Sequence, residues 1–375
     1  MEPYDIIKNQ NTGVVIDIRP RDFVAGAETG VAAPILEPLG QFDLYLPDEE
    51  SQWKNLLDSY ACVTFSALNC LEILFNRKLA RGEFSAEQVA FLKNEGYIDQ
   101  QTNKINFSDR YTAKMSGTSK NGNSLGVVGD SIRTLHGLIP EKEWAWPEGL
   151  TDSMPLDQKW ATYYAEIPAE LIAKGKRFLE HFVIKYQWVL VGTGDATKIK
   201  SSLTQGPIQI AAAVCSPWNS TEAMPPIPAC ACSTQHATTL YGFHDDGVLK
   251  DFDHYRSFKK LLAADYCIQY AMQYYLEDIA APTAPAPVIG YKYSKNLRAG
   301  APDTTEVRMM QAGLQYAKDK TNTPYMKPGT FGPFGPQTKD ALGRFQTDRG
   351  IKDPDGQGTN FGPATRAALT LAVSK

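Results

Sequence analysis

The sequence predicts an α+β protein of two lobes, one helical and one an antiparallel, barrel-like sheet, followed by a small all-α module of three helices. Three observations carry this. Residues 61–79 place Phe65, Leu68, Leu71, Leu74 and Phe75 at helical spacing. After Gly206-Pro207 the pattern turns to β-type runs, PIQIAAAV, HATTLYGF and VLKDFDHY, parted by turn-formers that include Asp246-Gly247. Beyond the Ala/Pro-rich stretch APTAPAPVIG (281–290), helical periodicity returns together with an internal repeat.

Taken in order, residues 1–44 are rich in Pro, Gly and short β-type runs such as GVVIDI, and are expected to pack as an extended leader on a domain spanning 45–280. Within that domain a second helix is expected over 85–95, where Ser85 and Gln88 have capping-box spacing. SGTSKNGNSLG (116–126) reads as a loop, and GVVGDSIRTLHGLIP as a helix ending near Gly137. FVIKYQWVLVG has the pattern of a strand and ATKIKSSLTQ that of a helix. Residues 281–291 form a semi-rigid linker, and 292–375 a separate module. There FGPQTKDALGRFQ and FGPATRAALTLAV share F-G-P-x-T-[KR]-x-A-L. In each copy Gly and Pro are expected to set a turn, and Thr to cap the helix that follows.

Composition narrows the function. With 43% hydrophobic and 21% charged residues the 375-residue chain has room for two or three ordinary globular domains. A net charge of −4 and scattered basic residues argue against a nucleic-acid partner. No uncharged apolar run reaches the ~18 residues a membrane span needs, and the amino-terminal stretch has no secretory signal pattern. Action outside the producing cell would then need another route of delivery. The six cysteines, at 62, 70, 215, 230, 232 and 267, suit a reduced or mixed compartment. Cys230-Ala-Cys232 lacks a second ligand pair, so neither a metal nor another cofactor is expected.

The chemistry centres on Cys62, which stands in the first turn of the long amphipathic helix, where partial positive charge stabilises a thiolate. Cys70, two turns later, reads as core. A thiolate nucleophile needs an imidazole within reach and an acceptor to fix that imidazole's tautomer. His236 opens one β-type run, and the next reaches Asp251 and Asp253, two carboxylates on one strand face. His244 reads as a solvated turn residue, His254 as outward-facing, and His136 as a helix C-cap.

Cys62-x-x-Phe65-Ser66-Ala67, together with His236-Ala237 and Tyr241-Gly242, resembles the papain family of cysteine peptidases over about residues 45–275. Val63-Thr64 stand where the family has Trp-Ala, and Tyr241-Gly242 reverse the family's Gly-Tyr. The resemblance implies a two-lobed papain-like fold with Cys62 as nucleophile and His236 as base. It implies an orienting residue at Asp253, or at Asp251 when the family's K-N-S-W is aligned on lysine; Asp253 is preferred because an aromatic follows it closely. Gly122, Asn123 and Ser124 would form the substrate-binding wall. Gln52 is the candidate oxyanion donor beside the Cys62 N–H, although it stands ten residues before the cysteine and the family's usual six-residue offset falls on Leu56.

Val307-x-x-Met310-Gln311-x-x-Leu314 and the two F-G-P-x-T copies resemble the small three-helix peptidoglycan-binding domain of wall hydrolases over about 292–375. Phe334, Phe345 and Leu369 are expected in its core; Tyr325, Phe331, Gln337 and Asn360 are expected to be exposed and to touch ligand. The two resemblances together imply a cysteine endopeptidase acting on stem or cross-bridge peptides of peptidoglycan, delivered as a phage lysin or virion component. The alternative is a wall-binding or virion structural protein on an inactive scaffold.

Overall fold

The computed structural model describes residues 14–15, 35–192, 196–214, 218, 221–229, 236–277, 296–302, 305–321, 323–326, 333–352 and 357–373. The chain divides into two compact units, one of Met1–Gly30 with Gly40–Ile279 and one of Val31–Leu39 with Ala280–Lys375. No helix among the described residues is long and apolar enough to cross a membrane.

In the first unit a tight hairpin, β1 (Trp53–Lys54) and β2 (Leu57–Asp58), leads into α1 (Cys62–Ala80). Residues 62–78 of α1 are all buried, so this is a helix at the centre of the unit and not a surface amphipath. One end of it carries the aromatic cluster of Phe75 with Phe84, Phe107, Phe178 and Phe182, ring centroids 5.0–5.8 Å from Phe75. Around α1 lie α2 (Ala86–Asn94), α3 (Asp109–Met115), α4 (Leu125–Asp130), α5 (Leu156–Tyr163) and α6 (Ala169–His181). The expected capping box opens α2: Gln88 N donates to Ser85 Oγ (3.1 Å) and Ser85 N to Gln88 Oε1 (3.0 Å). Helix α4 runs on through a wider turn, Ser131–Leu135, and stops at His136 and Gly137. Gly137 has φ +67°, and a Cβ there would meet the Gly175 carbonyl oxygen at 1.9 Å, so only glycine fits.

The β half comprises β3 (Val183–Val191), helix α7 (Ala196–Leu203), β4 (Ile208–Ala212), β5 (His236–Phe243), β6 (Leu249–Phe252), β7 (Lys259–Leu262) and β8 (Ile268–Glu277). They form one antiparallel sheet in the order β3-β8-β4-β5-β6-β7. The antiparallel lobe is as expected, and its sheet is open, ending on β3 and β7. Strand β7 is four residues long and its outer edge is taken by Ile227, which bridges to Leu262, so the edge is not left for β3. Ile208, Ile210, Leu240, Leu249 and Leu262 form a core with Ile199 and Leu203 of α7. Each such side chain contributes ~1.5–3 kcal/mol on burial.

In the second unit α8 (Thr305–Tyr316), α9 (Pro336–Asp348) and α10 (Pro363–Val373) enclose Val307, Met310, Leu314, Leu342, Phe345 and Leu369, and Leu297–Arg298 pairs with Asn360–Phe361. The repeated Thr does not cap. Thr338 and Thr365 are buried within the first turns, and each accepts from a glutamine of the preceding helix: Gln311 Nε2 to Thr338 Oγ1 (2.8 Å) and Gln346 Nε2 to Thr365 Oγ1 (3.1 Å). The repeat is thus a helix-to-helix bond made twice. Gln346 Oε1 also accepts from Gly358 N (2.6 Å). Gly358 has φ +83°, and a Cβ would lie 2.0 Å from the Lys339 carbonyl oxygen. Gly358→Ala is expected to destabilise this unit by ~2–4 kcal/mol, seen as a lowered thermal transition for residues 292–375; an unchanged transition would show that this close approach is not required.

Candidate active site

The hairpin explains how Gln52 comes near Cys62. Asn55 and Leu56 both have φ +54°, the pair of left-handed residues that a tight two-residue turn needs. The chain folds back so that Ser59 N donates to the Gln52 carbonyl (3.1 Å), three residues before Cys62. Leu56, at the six-residue offset, is on the hairpin tip and exposed. Gln52 is fully buried, and its Nε2 donates to Asp58 Oδ1 (2.8 Å) and to the Tyr255 hydroxyl (2.5 Å). Tyr255 Oη in turn donates to Asp58 Oδ2 (2.5 Å), and Tyr60 N to Asp58 Oδ1 (2.8 Å). Burial raises the Asp58 carboxyl above its ordinary value against these three hydrogen bonds.

The first turn of α1 is pinned to the sheet. Gln209 of β4 donates to the Val63 carbonyl (2.7 Å) and to Ser66 Oγ (2.9 Å), and Thr239 of β5 donates to the Ser66 carbonyl (2.9 Å). Cys62 is fully buried there. Burial pushes its thiol up to about 12, opposed by the backbone N–H groups of Ala237 and Val63 aimed at the sulfur, and reinforced by the Asp58 and Asp253 charges. A thiol so enclosed ionises far more readily by passing its proton to a neighbouring imidazole than by losing it to solvent, because the first route leaves the net charge unchanged.

His236 opens β5 directly before Ala237, whose N–H reaches the sulfur. Its Nε2 is 2.8 Å from Asp253 Oδ1, and its buried Nδ1 has no hydrogen-bond partner among the described residues. Asp253 is the most heavily bonded carboxylate of the site. Its Oδ1 also accepts from His254 N (2.7 Å), and its Oδ2 from Trp218 Nε1 (3.0 Å) and Lys260 Nζ (2.9 Å). Burial pushes this carboxyl up, but the Lys260 and His236 charges and the His236 hydrogen bond outweigh it and hold it below the usual carboxylate range. Tyr255 (5.2 Å between centroids) and Trp218 (5.7 Å, edge-on) flank the imidazole and keep water from the His236–Asp253 bond. Asp251, the other candidate, is not bonded to His236; burial and then the Asp253 charge push its carboxyl well above the usual carboxylate range.

His254 does not face outward. It is fully buried, its ring 4.7 Å from that of His236 and 5.4 Å from Phe65, and burial holds it well below the usual imidazole range. The chain leaves the alternation of β6 at Asp253, whose N–H bonds the Phe258 carbonyl, and this turns the next side chain inward. His236, Asp253 and His254 bring donor atoms within 4.8 Å of one another, a spacing a cation would accept. Both Asp253 oxygens are already bonded and the Lys260 ammonium is 2.9 Å away, so the cluster fits an internal ion pair better than a metal.

The chain is similar to solved cysteine proteases. It resembles xylellain, a cysteine protease from Xylella fastidiosa (15% identity, 70% of this chain and 96% of that one, TM-score 0.43), and the bromelain protease of Ananas comosus (11%, 63% and 98%, 0.41). It also resembles a procathepsin L2 proteinase from the larval midgut of Tenebrio molitor (12%, 73% and 80%, 0.43). No family model and no curated protein matches the sequence. Likenesses this remote carry no chemistry, which rests on the residues themselves.

The remaining candidates fare unevenly. Gly122 N donates to the Ser119 carbonyl (2.8 Å) and closes a turn. Asn123 is turned inward, its Nδ2 donating to the Ser116 carbonyl (3.0 Å) and to Thr118 Oγ1 (3.2 Å), so its side chain braces the loop. Asn123 and Ser124 pair in parallel with Val14 and Val15, which hold this stretch in place. In the second unit Tyr325 is not exposed. Its ring packs edge-on against Phe345 (5.2 Å) and its hydroxyl donates to Asp348 Oδ2 (2.7 Å), because it closes the core between α8 and α9. Gln337 is exposed on the first turn of α9. Asn360 is half-buried, its carbonyl accepting from Gln346 Nε2 (2.8 Å), and lines a cavity of about 310 Å³ with Arg298 and Thr365. Phe331 lies outside the described residues.

Nothing in the sequence marks Asp58, Gln209, Trp218 or Lys260 as neighbours of the candidate site. A lysine in the short run KKLL reads as an outward strand residue, and nothing local marks it as buried. The cysteines divide as well: Cys62 and Cys70 are reduced thiols, whereas Cys267 is disulfide-bonded.

Proposed function

We propose that this chain is a papain-like cysteine endopeptidase that cuts peptide bonds of the bacterial cell wall. The observation that carries the reading is the His236–Asp253 bond at 2.8 Å, which leaves the other ring nitrogen unbonded beside the strand residue whose N–H reaches the Cys62 sulfur. In the proposed cycle His236 Nδ1 takes the Cys62 proton and the thiolate adds to the scissile carbonyl. The imidazolium then protonates the departing amine, and water, deprotonated by His236, releases the acyl group. The Cys62 N–H and Gln52 hold the oxyanion. Both Gln52 amide hydrogens are engaged in this structure, so one must be exchanged. The bond to Tyr255 is the one to give up, because the tyrosine keeps its own donation to Asp58.

Binding of the wall by residues 292–375 is proposed from the resemblance of the repeat to peptidoglycan-binding domains; the twice-made Gln–Thr bond gives that repeat a packing role. Delivery as a phage lysin or virion component belongs to the same proposal and follows from the pairing of the two resemblances in one chain. Incubation with purified sacculi tests both parts. New amino groups should appear, and a form lacking 292–375 should sediment with sacculi at least tenfold less while still cleaving soluble wall peptides. Release of reducing sugars without amino groups would refute the peptidase, and undiminished sedimentation would refute the tether.

A further inference from the structure

Asp253 is a fully buried carboxylate facing the imidazole, and a buried charge needs a counter-charge. One is supplied from the next strand. Lys260 of β7 is opposite Asp251 in the sheet register and fully buried; its Nζ bonds Asp253 Oδ2 (2.9 Å), the Tyr255 carbonyl (2.9 Å) and the Ser257 carbonyl. All three ammonium hydrogens are thus used, and two of them tie the lysine to the turn that carries Tyr255 against His236. We infer that Lys260 is a positioning residue of the catalytic pair: its ammonium anchors the far oxygen of Asp253, holds the near oxygen on His236 Nε2 and cancels the carboxylate's charge.

The inference rests on the peptidase reading of Cys62 and His236. Its physical content is that Asp253 and Lys260 together behave as one neutral hydrogen-bond acceptor. The groups around them are His236 from β5, Asp251 from β6, Cys62 from α1, and His254, Tyr255, Trp218 and Tyr266 from the surrounding loops. Removing Lys260 leaves an uncompensated negative charge against His236, which favours the imidazolium, so its proton is lost at higher pH. Removing only the Asp253 charge leaves the ammonium facing the ring, and the proton is lost at lower pH. A merely structural lysine would not produce shifts of opposite sign.

The test is the pH profile of Cys62 alkylation by iodoacetamide in the full chain, read by mass spectrometry with Cys70 as the internal control. The upper inflection, where the imidazolium gives up its proton, is expected to move up by about one pH unit or more in Lys260→Met. It is expected to move down by a similar amount in Asp253→Asn, and to return to within about 0.3 unit of the parent in the double variant D253N/K260M. Should a single variant fail to fold, the charge-neutral double still decides. An inflection there more than about one unit from the parent overturns the inference, and a match supports it. Single variants that shift in the same direction, or not at all, with Cys62 still the fast thiol, overturn the role of Lys260 alone. A parent Cys62 no faster than Cys70 at any pH overturns the peptidase reading and this inference with it.

Discussion

Cys62→Ala is expected to lower kcat/KM for wall-peptide hydrolysis by about 10⁴-fold or more, and His236→Ala by a comparable factor. In the proposed cycle the two act as a unit, one supplying the nucleophile and the other moving its proton, so the double variant is expected to be no slower than the worse single one. The Cys62 side chain is small and fully buried, and its removal should cost only about 1 kcal/mol of stability. Activity loss in a folded protein is therefore the discriminating result. His236→Ala has a second signature. Without the imidazole the enclosed thiol, pushed up to about 12, has no internal acceptor for its proton, and alkylation of Cys62 near pH 6 should fall to the rate of Cys70. A His236→Ala protein that still labels quickly would mean that the thiolate owes its existence to the helix terminus alone, and the acid–base assignment would fail.

Gln52→Ala is expected to lower kcat by about 10²-fold with little change in KM, the signature of a donor used only as the oxyanion forms. Tyr255→Phe provides the contrast. It releases the Gln52 hydrogen now given to the Tyr255 hydroxyl, so the chemical step should not slow through the oxyanion. It also removes one donor from Asp58, a buried carboxyl, at a cost of ~1–3 kcal/mol in stability. The two variants should separate cleanly, one losing rate and the other stability. If Gln52→Ala loses stability while its kcat is unchanged, the glutamine is only a brace for Asp58 and the oxyanion must be held by backbone groups.

Much of the scaffold was legible because it is written locally. The heptad-like spacing from Phe65 to Phe75 marks α1, Ser85 with Gln88 marks the start of α2, and the alternation of HATTLYGF marks β5. Strand β8 leaves no such mark although it lies between β3 and β4 in the sheet, because IQYAMQYYLE mixes polar and apolar residues without strict alternation. Gln52 stands ten residues before Cys62 in the sequence; the hairpin shortens that separation through two left-handed residues, Asn55 and Leu56, that no turn signal announces. Tyr325 was misplaced because an aromatic near a turn gives no indication of whether a core is waiting to receive it.

The sequence by itself determined the residue types of the site and the order in which they occur: a cysteine at a helix start, a histidine opening a strand, and acidic residues on the strand that follows. Those depend on local periodicity and on what thiol chemistry requires. Only the tertiary structure decided which carboxylate meets the histidine, that His254 turns inward, and that Lys260 balances the buried charge. Each of these depends on how β6 departs from alternation at Asp253 and on the register of β7 against β6. Partners brought together by strand pairing leave no mark on the chain between them, so their meeting is a property of the fold.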